Sequence, residues 1–210
     1  MDAAAWDDRY AATELVWSSG PNQFVEQALT DLPAGRALDL ACGEGRNARW
    51  LAERGWQVTA MDFSPVAIEK GRRLAEQLPD GRSDRIDWQV GDALETPLPA
   101  DLDLVLIAYL QVPAAERSKV MHRAFAALAS GGTLFVIGHD TTNLTEGTGG
   151  PPDPAVLYDA ADVLGDVADE PLEVVRAERV ARTVEGVDEH GSEGTAWDVL
   201  VHVRRPGGHG

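Results

Sequence analysis

The chain has 210 residues, of which 44% are hydrophobic, enough for one compact domain with a substantial core over 1–210. Its 18 basic and 35 acidic residues give a net charge of −17, a field that repels polyphosphate backbones and anionic membranes and speaks against nucleic acid as a partner. One cysteine, Cys42, and five scattered histidines exclude a disulfide framework and predict no metal site; apolar runs too short for a bilayer and a Met1-Asp2-Ala3 start without a basic leader predict a cytoplasmic protein with no membrane partner.

In chain order, Trp6-Asp-Asp-Arg-Tyr10 and Pro21 to Leu32 read as helices that precede the core, over 1–33. A core over 34–140 follows. It opens with the buried strand around Ala37-Leu38-Asp39-Leu40, a glycine turn, a helix from Arg46 to Arg54 ended by Gly55, and a second buried strand, Val58 to Asp62. Ser64-Pro65 starts the next helix, since serine caps free N–H groups and proline at the first position loses nothing; it is expected to run to Leu78 with Leu74 and Leu78 buried. Then come the strand Ile86 to Val90, the strand Asp101 to Ile107, a helix from Pro113 to Leu128, a Gly131-Gly132 turn and a strand through Phe135-Val136-Ile137-Gly138.

The stretch Leu144 to Pro154 is rich in turn residues and reads as a mobile loop, followed by a helix to Leu164 capped by Asp153, so that 141–171 is loop and helix. Leu172 to Val184 and Thr195 to Val203 have strand character, with Trp197, Val199, Val201 and Val203 on one face. The polar gap Glu185 to Gly194 makes them a closing hairpin, 172–205. Arg204 to Gly210 reads as a frayed tail. The expected fold is α/β, a doubly wound, Rossmann-like, seven-stranded, mostly parallel sheet with a C-terminal antiparallel hairpin.

The glycine turn carries the chemistry. Gly43 and Gly45 let the backbone turn sharply and approach a ligand, and the following helix points its free N–H groups at the same place. The second strand delivers Asp62 beside them, where a carboxylate accepts both hydroxyl protons of a ribose. A relaxed dinucleotide fingerprint fits through Gly43, Gly45 and Ala48, so a nicotinamide dinucleotide is a rival ligand. A diphosphate would lie beside Asp39 and near Glu44, whereas a cation suits both. S-adenosyl-L-methionine joins a sulfonium and an ammonium to an adenosine.

Together, Asp39-Leu40-Ala41-Cys42-Gly43-Glu44-Gly45-Arg46-Asn47 and Asp62, followed by Gly91-Asp92-Ala93 and the strands on either side, resemble the class I S-adenosylmethionine-dependent methyltransferases from about Ala34 to His139. Ala41 departs from many members, which have glycine there. Gly43-x-Gly45-Arg46-Asn47-Ala48 with Leu51-Ala52 and Gly55 is similar to the tellurite-resistance (TehB-type) and thiopurine-methyltransferase-like group, which methylates soft chalcogen centres. The resemblance implies S-adenosyl-L-methionine as cofactor, S-adenosyl-L-homocysteine as product, and a cofactor site of Asp39, Ala41, Gly43, Gly45, Arg46, Asn47, Asp62, Phe63, Asp92, Ala93 and Ala108. Asp92 would face the adenine and Ala108 the methionine part, and the amino-terminal helices of 1–33 would cover the cofactor.

No Asn/Asp-Pro-Pro-Tyr/Phe run follows the fourth strand, where Ile107-Ala108-Tyr109-Leu110-Gln111 stands instead. His139 and Asp140 end the fifth strand at the ligand-bearing edge, so the candidate catalytic residues are His139, Asp140 and Tyr109. A direct His139–Asp140 pair is not implied, because strand neighbours face opposite ways. Trp6, Tyr10 and Trp17 are candidate pocket walls. A thiolate or chalcogen lone pair attacks a methyl group unaided, whereas a hydroxyl or ammonium must first lose a proton. The expected function is therefore methyl transfer to a small molecule, with a thiol, selenium or tellurium centre favoured. A small-molecule O- or N-methyltransferase, an NAD-dependent oxidoreductase and a cofactor-binding protein without turnover are the alternatives.

Overall fold

The computed structural model describes residues 7, 10–12, 20–184 and 194–208. Helix α1 (Gln23–Leu29) leads into strand β1 (Arg36–Leu40), and α2 (Arg46–Glu53) connects β1 to β2 (Gln57–Asp62). Next come α3 (Pro65–Ala75), β3 (Ile86–Val90), β4 (Leu102–Ala108), α4 (Ala114–Ala126) and β5 (Leu128–His139). The chain closes with the single turn α5 (Asn143–Glu146), α6 (Ala160–Asp166), β6 (Glu173–Val184) and β7 (Gly194–Arg204).

The seven strands form one sheet in the order β3-β2-β1-β4-β5-β7-β6. Strands β1 to β5 are mutually parallel, and β7 runs antiparallel between β5 and β6. Sequence reading of an α/β mostly parallel sheet with a closing hairpin thus matches the fold. The inserted antiparallel β7 distinguishes it from the dinucleotide order, in which the sixth strand continues the parallel run.

Alternation along the central strands divides the core in two. Leu38, Leu40, Val105, Ile107, Leu134, Val136, Val199 and Val201 pack with Met121 and Phe125 of α4 and Val163 of α6. Ala37, Leu104, Leu106, Phe135, Ile137 and Leu200 pack instead with Phe24 and Val25 of α1, Leu51 of α2 and Trp56. A strand buried on both faces needs apolar residues at successive positions, which is why these runs read as continuous. Each fully buried large apolar side chain contributes roughly 1.5–3 kcal/mol.

Several local expectations change. Helix α3 starts as expected, with the Ser64 side chain accepting from Ala67 N–H and Pro65 in the first turn. It ends at Ala75, and its buried face is Ala67, Ile68, Gly71 and Ala75, while Leu74 and Leu78 are half-buried. Gly71 is on that face because Trp88 lies over it: a Cβ there would sit 2.4 Å from the indole.

The Leu144 to Pro154 loop is pinned. Asn143 donates to Gly149 C=O and accepts from Trp197 N–H, and the Thr148 N–H bonds to Thr195 C=O. Asp153 caps the 3-10 turn Pro154–Val156, and Asp159 and Asp162 then form a capping box that starts α6 separately. The helix expected over this stretch is therefore split in two. Arg205 pairs with Gly131 and Gly132, and Gly208 N–H bonds to Ser130 Oγ, so the tail is tied down as far as residue 208.

Candidate active site

A cavity of about 370 Å³ opens at the carboxyl ends of β1, β2 and β4. Its floor is the glycine turn, and the turn's backbone explains its residues. Ala41, Gly43 and Gly45 all have positive φ, 59°, 56° and 68°. Glycine takes that conformation freely, while alanine carries strain, so the methyl group of Ala41 is not neutral. Cys42 N–H bonds to Met61 C=O and Gly45 N–H to Cys42 C=O, which locks the turn against β2.

Asp62 completes the lock. Its Oδ2 accepts from Gly43 N–H at 2.8 Å and its Oδ1 from Ser64 N–H at 2.9 Å. Burial raises its pKa, opposed by those two N–H groups. Each carboxylate oxygen has a second lone pair, so acceptor capacity toward the cavity remains.

Asp39 is different. It is 1% exposed, and neither oxygen has a hydrogen-bond partner among the described residues. Burial raises its pKa to about 7; the Ala48 N–H and the Arg46 charge pull the other way, though neither closes a hydrogen bond on it, and Asp62 adds to the rise. A buried carboxyl without donors is costly and marks a place for a donor or a cation.

Ten of the eleven expected cofactor residues line this one cavity: Asp39, Ala41, Gly43, Arg46, Asn47, Asp62, Phe63, Asp92, Ala93 and Ala108. Gly45 does not. It opens α2, and a Cβ there would meet the Trp88 ring at 2.2 Å, so the position serves packing. Glu44 also points elsewhere: 2% exposed, it pairs with Lys70 at 2.9 Å. The electrostatic case against a diphosphate rests on Asp39 and Asp62.

The three catalytic candidates separate. Tyr109 lines the cavity, while His139 and Asp140 are not among the lining residues. Asp140 Oδ1 accepts from the N–H and hydroxyl of Thr142 at 2.9 and 2.6 Å, a turn-forming role before α5. His139 lies behind Tyr109, with ring centroids 4.9 Å apart, and its Nδ1 is 3.3 Å from Asp198 Oδ1. Asp198 faces His139 across the β5–β7 register. Tyr109 donates its hydroxyl proton to Asp198 Oδ2 at 2.8 Å, and burial, then Asp198, holds the phenol well above its usual pKa.

Sequence reasoning missed Asp198, Arg182 and Asn22, which surround that hydroxyl. A signal existed: Asp198 interrupts the buried positions Ala196 and Leu200 on one face of β7, and a carboxylate on an apolar face calls for partners. It also missed the outer wall of Leu94, Leu110, Gln111, Val112, Glu116 and Val120. Tyr10 lines the cavity, and its C=O accepts from Lys70 Nζ at 2.7 Å, while Ser64 Oγ donates to Asp7, so two points of the amino-terminal segment rest on α3. Trp6 and Trp17 lie outside the described residues.

Residues 37–132 match the model of a family described as a methyltransferase domain. Over 70 residues, 32% of this chain and 19% of the relative, the sequence is 44% identical to a probable chloroplastic tocopherol O-methyltransferase of Oryza sativa subsp. japonica. It is 30% identical to a demethylmenaquinone methyltransferase of Clavibacter sepedonicus over 60% of this chain and 52% of that protein. A tRNA 5-carboxymethoxyuridine methyltransferase of Escherichia coli strain K12 is 31% identical over 52% of this chain and 42% of its own. The chain thus spans about half the length, or less, of these relatives. In structure it is similar to TehB from Haemophilus influenzae, with a TM-score of 0.73 and 15% identity over 95% of this chain and 67% of the other. The match over residues 37–132, the likeness in structure and the strand order agree: the fold is that of a methyltransferase, with an acidic cavity at its strand tips.

Proposed function

We propose that this chain transfers a methyl group from S-adenosyl-L-methionine to a small molecule, with a thiol, selenium or tellurium centre favoured as acceptor. The observation that carries the reading is Asp39, a buried carboxyl with neither oxygen partnered among the described residues, beside a second carboxylate at the strand tips. A cation that also offers ribose hydroxyls fits both groups. Asp62 would accept the ribose hydroxyls, with Phe63, Asp92 and Ala93 on the adenine side; Asp39, Ala41, Gly43, Arg46, Asn47 and Ala108 would surround the methionine part. Bound there, the cofactor supplies an electrophilic methyl group and a neutral thioether as leaving group.

The protein's share is to orient the acceptor and exclude water. The soft-acceptor preference is supported by the engaged Tyr109 hydroxyl and by the position of His139 behind it: among the described residues no imidazole lines the cavity. An acceptor that attacks as a thiolate or chalcogen lone pair requires none. The names of the relatives favour a second reading within the same chemistry, an O- or N-methyltransferase of a biosynthetic pathway. The tRNA enzyme among them makes nucleic acid a substrate class to test, although a net charge of −17 opposes it.

Calorimetry with S-adenosyl-L-homocysteine and with NADH tests the cofactor: the first is expected to bind and the second not. Release of homocysteine equivalents on addition of thiols, selenite, tellurite, phenols and amines then tests the acceptor. Turnover with phenols or amines but none of the soft acceptors overturns the chalcogen preference.

A further inference from the structure

Five residues distant in sequence meet behind the cavity wall. Asp198, on β7 and fully buried, accepts from the Tyr109 hydroxyl at 2.8 Å and from Arg182 Nε at 2.7 Å, and His139 Nδ1 stands 3.3 Å from its other oxygen. The Tyr109 oxygen in turn accepts from Asn22 Nδ2 at 3.2 Å. Asn22 caps α1 with its side-chain oxygen, and its backbone N–H donates to Oδ1 of the cavity residue Asn47 at 2.9 Å. The bonds therefore run from the closing hairpin through Tyr109 to α1 and back to the start of α2.

Tyr109 needs such support. Its φ of 58° lies in the left-handed region, where a bulky side chain is an outlier held only by its surroundings. Its N–H is fixed to Ile137 C=O at 2.7 Å, and its hydroxyl is fixed by Asp198 and Asn22. The ring thereby stands in the cavity wall next to Ala108. The sheet order says which part of the ligand it meets. β4 flanks β1 on the side opposite β2 and β3. A ligand with its adenosine over β2 and β3 places its amino-acid end over β1 and β4, against Tyr109.

We propose that Asp198 is a positioning residue for the amino-acid end of the cofactor, acting through Tyr109, whose ring it holds in the cavity wall. The proposal rests on the reading of the cavity as an S-adenosylmethionine site. Asp198 also balances the Arg182 guanidinium, which lies 5.8 Å from the Tyr109 ring centre, so the phenol packs beside a neutralised pair. Asn22 hangs the first helix on the same hydroxyl.

Two ligands separate positioning from general loosening. S-adenosyl-L-homocysteine has the amino-acid end, and 5′-methylthioadenosine has the same adenosine and sulfur without it. Calorimetry on the whole chain compares the unsubstituted protein with Tyr109→Phe, Asp198→Asn and the double variant. Each single variant is expected to weaken S-adenosyl-L-homocysteine about tenfold, and the double variant no more than either alone, because both act on one element. Binding of 5′-methylthioadenosine is expected to stay within about twofold. An equal loss for both ligands, a multiplied loss in the double variant, or no loss in the singles overturns the proposal. Should Asp198→Asn fail to fold, Tyr109→Phe keeps the ring, removes only the oxygen, and decides by the same two-ligand contrast. An unsubstituted protein that binds neither ligand overturns the cofactor reading as a whole; one that binds both while the variants behave like it overturns this inference alone.

Discussion

The two walls of the cavity are built in opposite ways. The floor, from Asp39 to Asp62, comes from one β–α–β unit of the chain, and its groups are held by neighbours: Gly43 N–H to Asp62, Cys42 N–H to Met61, Ser64 N–H to Asp62. The wall at Tyr109 is assembled from Asn22, Tyr109, His139, Arg182 and Asp198, whose contacts span 16 to 89 residues of sequence. Among the described residues the floor leaves a carboxyl unpartnered, while the wall saturates its carboxylate. A group that waits for a ligand belongs in the first arrangement, and one that holds a side chain still belongs in the second.

The largest expected effect breaks the floor's electrostatics. Asp39 is raised from 3.8 to about 7 by burial. The unfolded chain therefore releases this proton near pH 4 and the folded chain holds it until near pH 7. Stability from this group is highest below pH 4, falls as pH rises through that window, and is level above it. The loss amounts to about 4 kcal/mol at most, taking 1.36 kcal/mol per unit. Chemical denaturation of the ligand-free protein at intervals from pH 4 to 8, compared with Asp39→Asn, reads the difference in slope. Parallel curves for the two proteins refute the assignment. With S-adenosyl-L-homocysteine present, its ammonium favours the carboxylate, so binding near pH 6 is expected to release a proton, measured as a buffer-dependent binding enthalpy.

Gly45→Ala is the next largest. It combines a left-handed φ of 68° with a Cβ 2.2 Å from the Trp88 ring, so conformational strain and overpacking add to roughly 3 kcal/mol of destabilisation. Thermal unfolding measures it. Because Gly45 lies outside the lining residues, affinity for S-adenosyl-L-homocysteine in the folded fraction is expected to hold within about threefold. A selective loss of affinity at unchanged stability returns Gly45 to the ligand.

Asp62→Ala tests the reverse balance. Two hydrogen bonds from ligand hydroxyls to a charged acceptor are worth about 1 to 3 kcal/mol of cofactor affinity. The same substitution strands the Gly43 and Ser64 N–H groups, so stability falls as well, by roughly 1–3 kcal/mol. Calorimetry and thermal unfolding on one sample separate the two. Unchanged affinity beside lowered stability assigns Asp62 to the turn alone.

This contrast also explains what the sequence made legible. The floor could be read because its signals are local: an apolar run before Asp39, glycines at the turn, and a carboxylate ending the next apolar run. Tyr109 and Ala108 were placed correctly at a strand end for the same reason. Asp198 and Arg182 were not, since their partners are set by the register of β7 against β5 and β6, which pairs His139 with Asp198 but leaves no mark within either segment. The same register gives His139 its carboxylate neighbour, Asp198, where the sequence implied no direct pair with Asp140. Leu74 and Leu78 misled because helical spacing shows an apolar stripe without showing that Trp88 occupies the space above Gly71.

The smallest effect concerns the strained residues at the two strand tips, Ala41 on the floor and Tyr109 in the wall, with φ of 59° and 58°. Tyr109 has a hydroxyl anchor that holds its conformation; a methyl group offers Ala41 none. Ala41→Gly removes about 1–2 kcal/mol of left-handed strain from the folded state and adds about 0.4–1 kcal/mol of chain entropy to the unfolded state. The expected net is a stabilisation of roughly 0 to 1.6 kcal/mol, read as a rise in unfolding midpoint at an unchanged denaturant slope. A clear fall instead assigns the Ala41 methyl a packing role at the cavity floor that outweighs its strain, and Ala41 would then belong with Tyr109 as a residue whose strain is held by its surroundings.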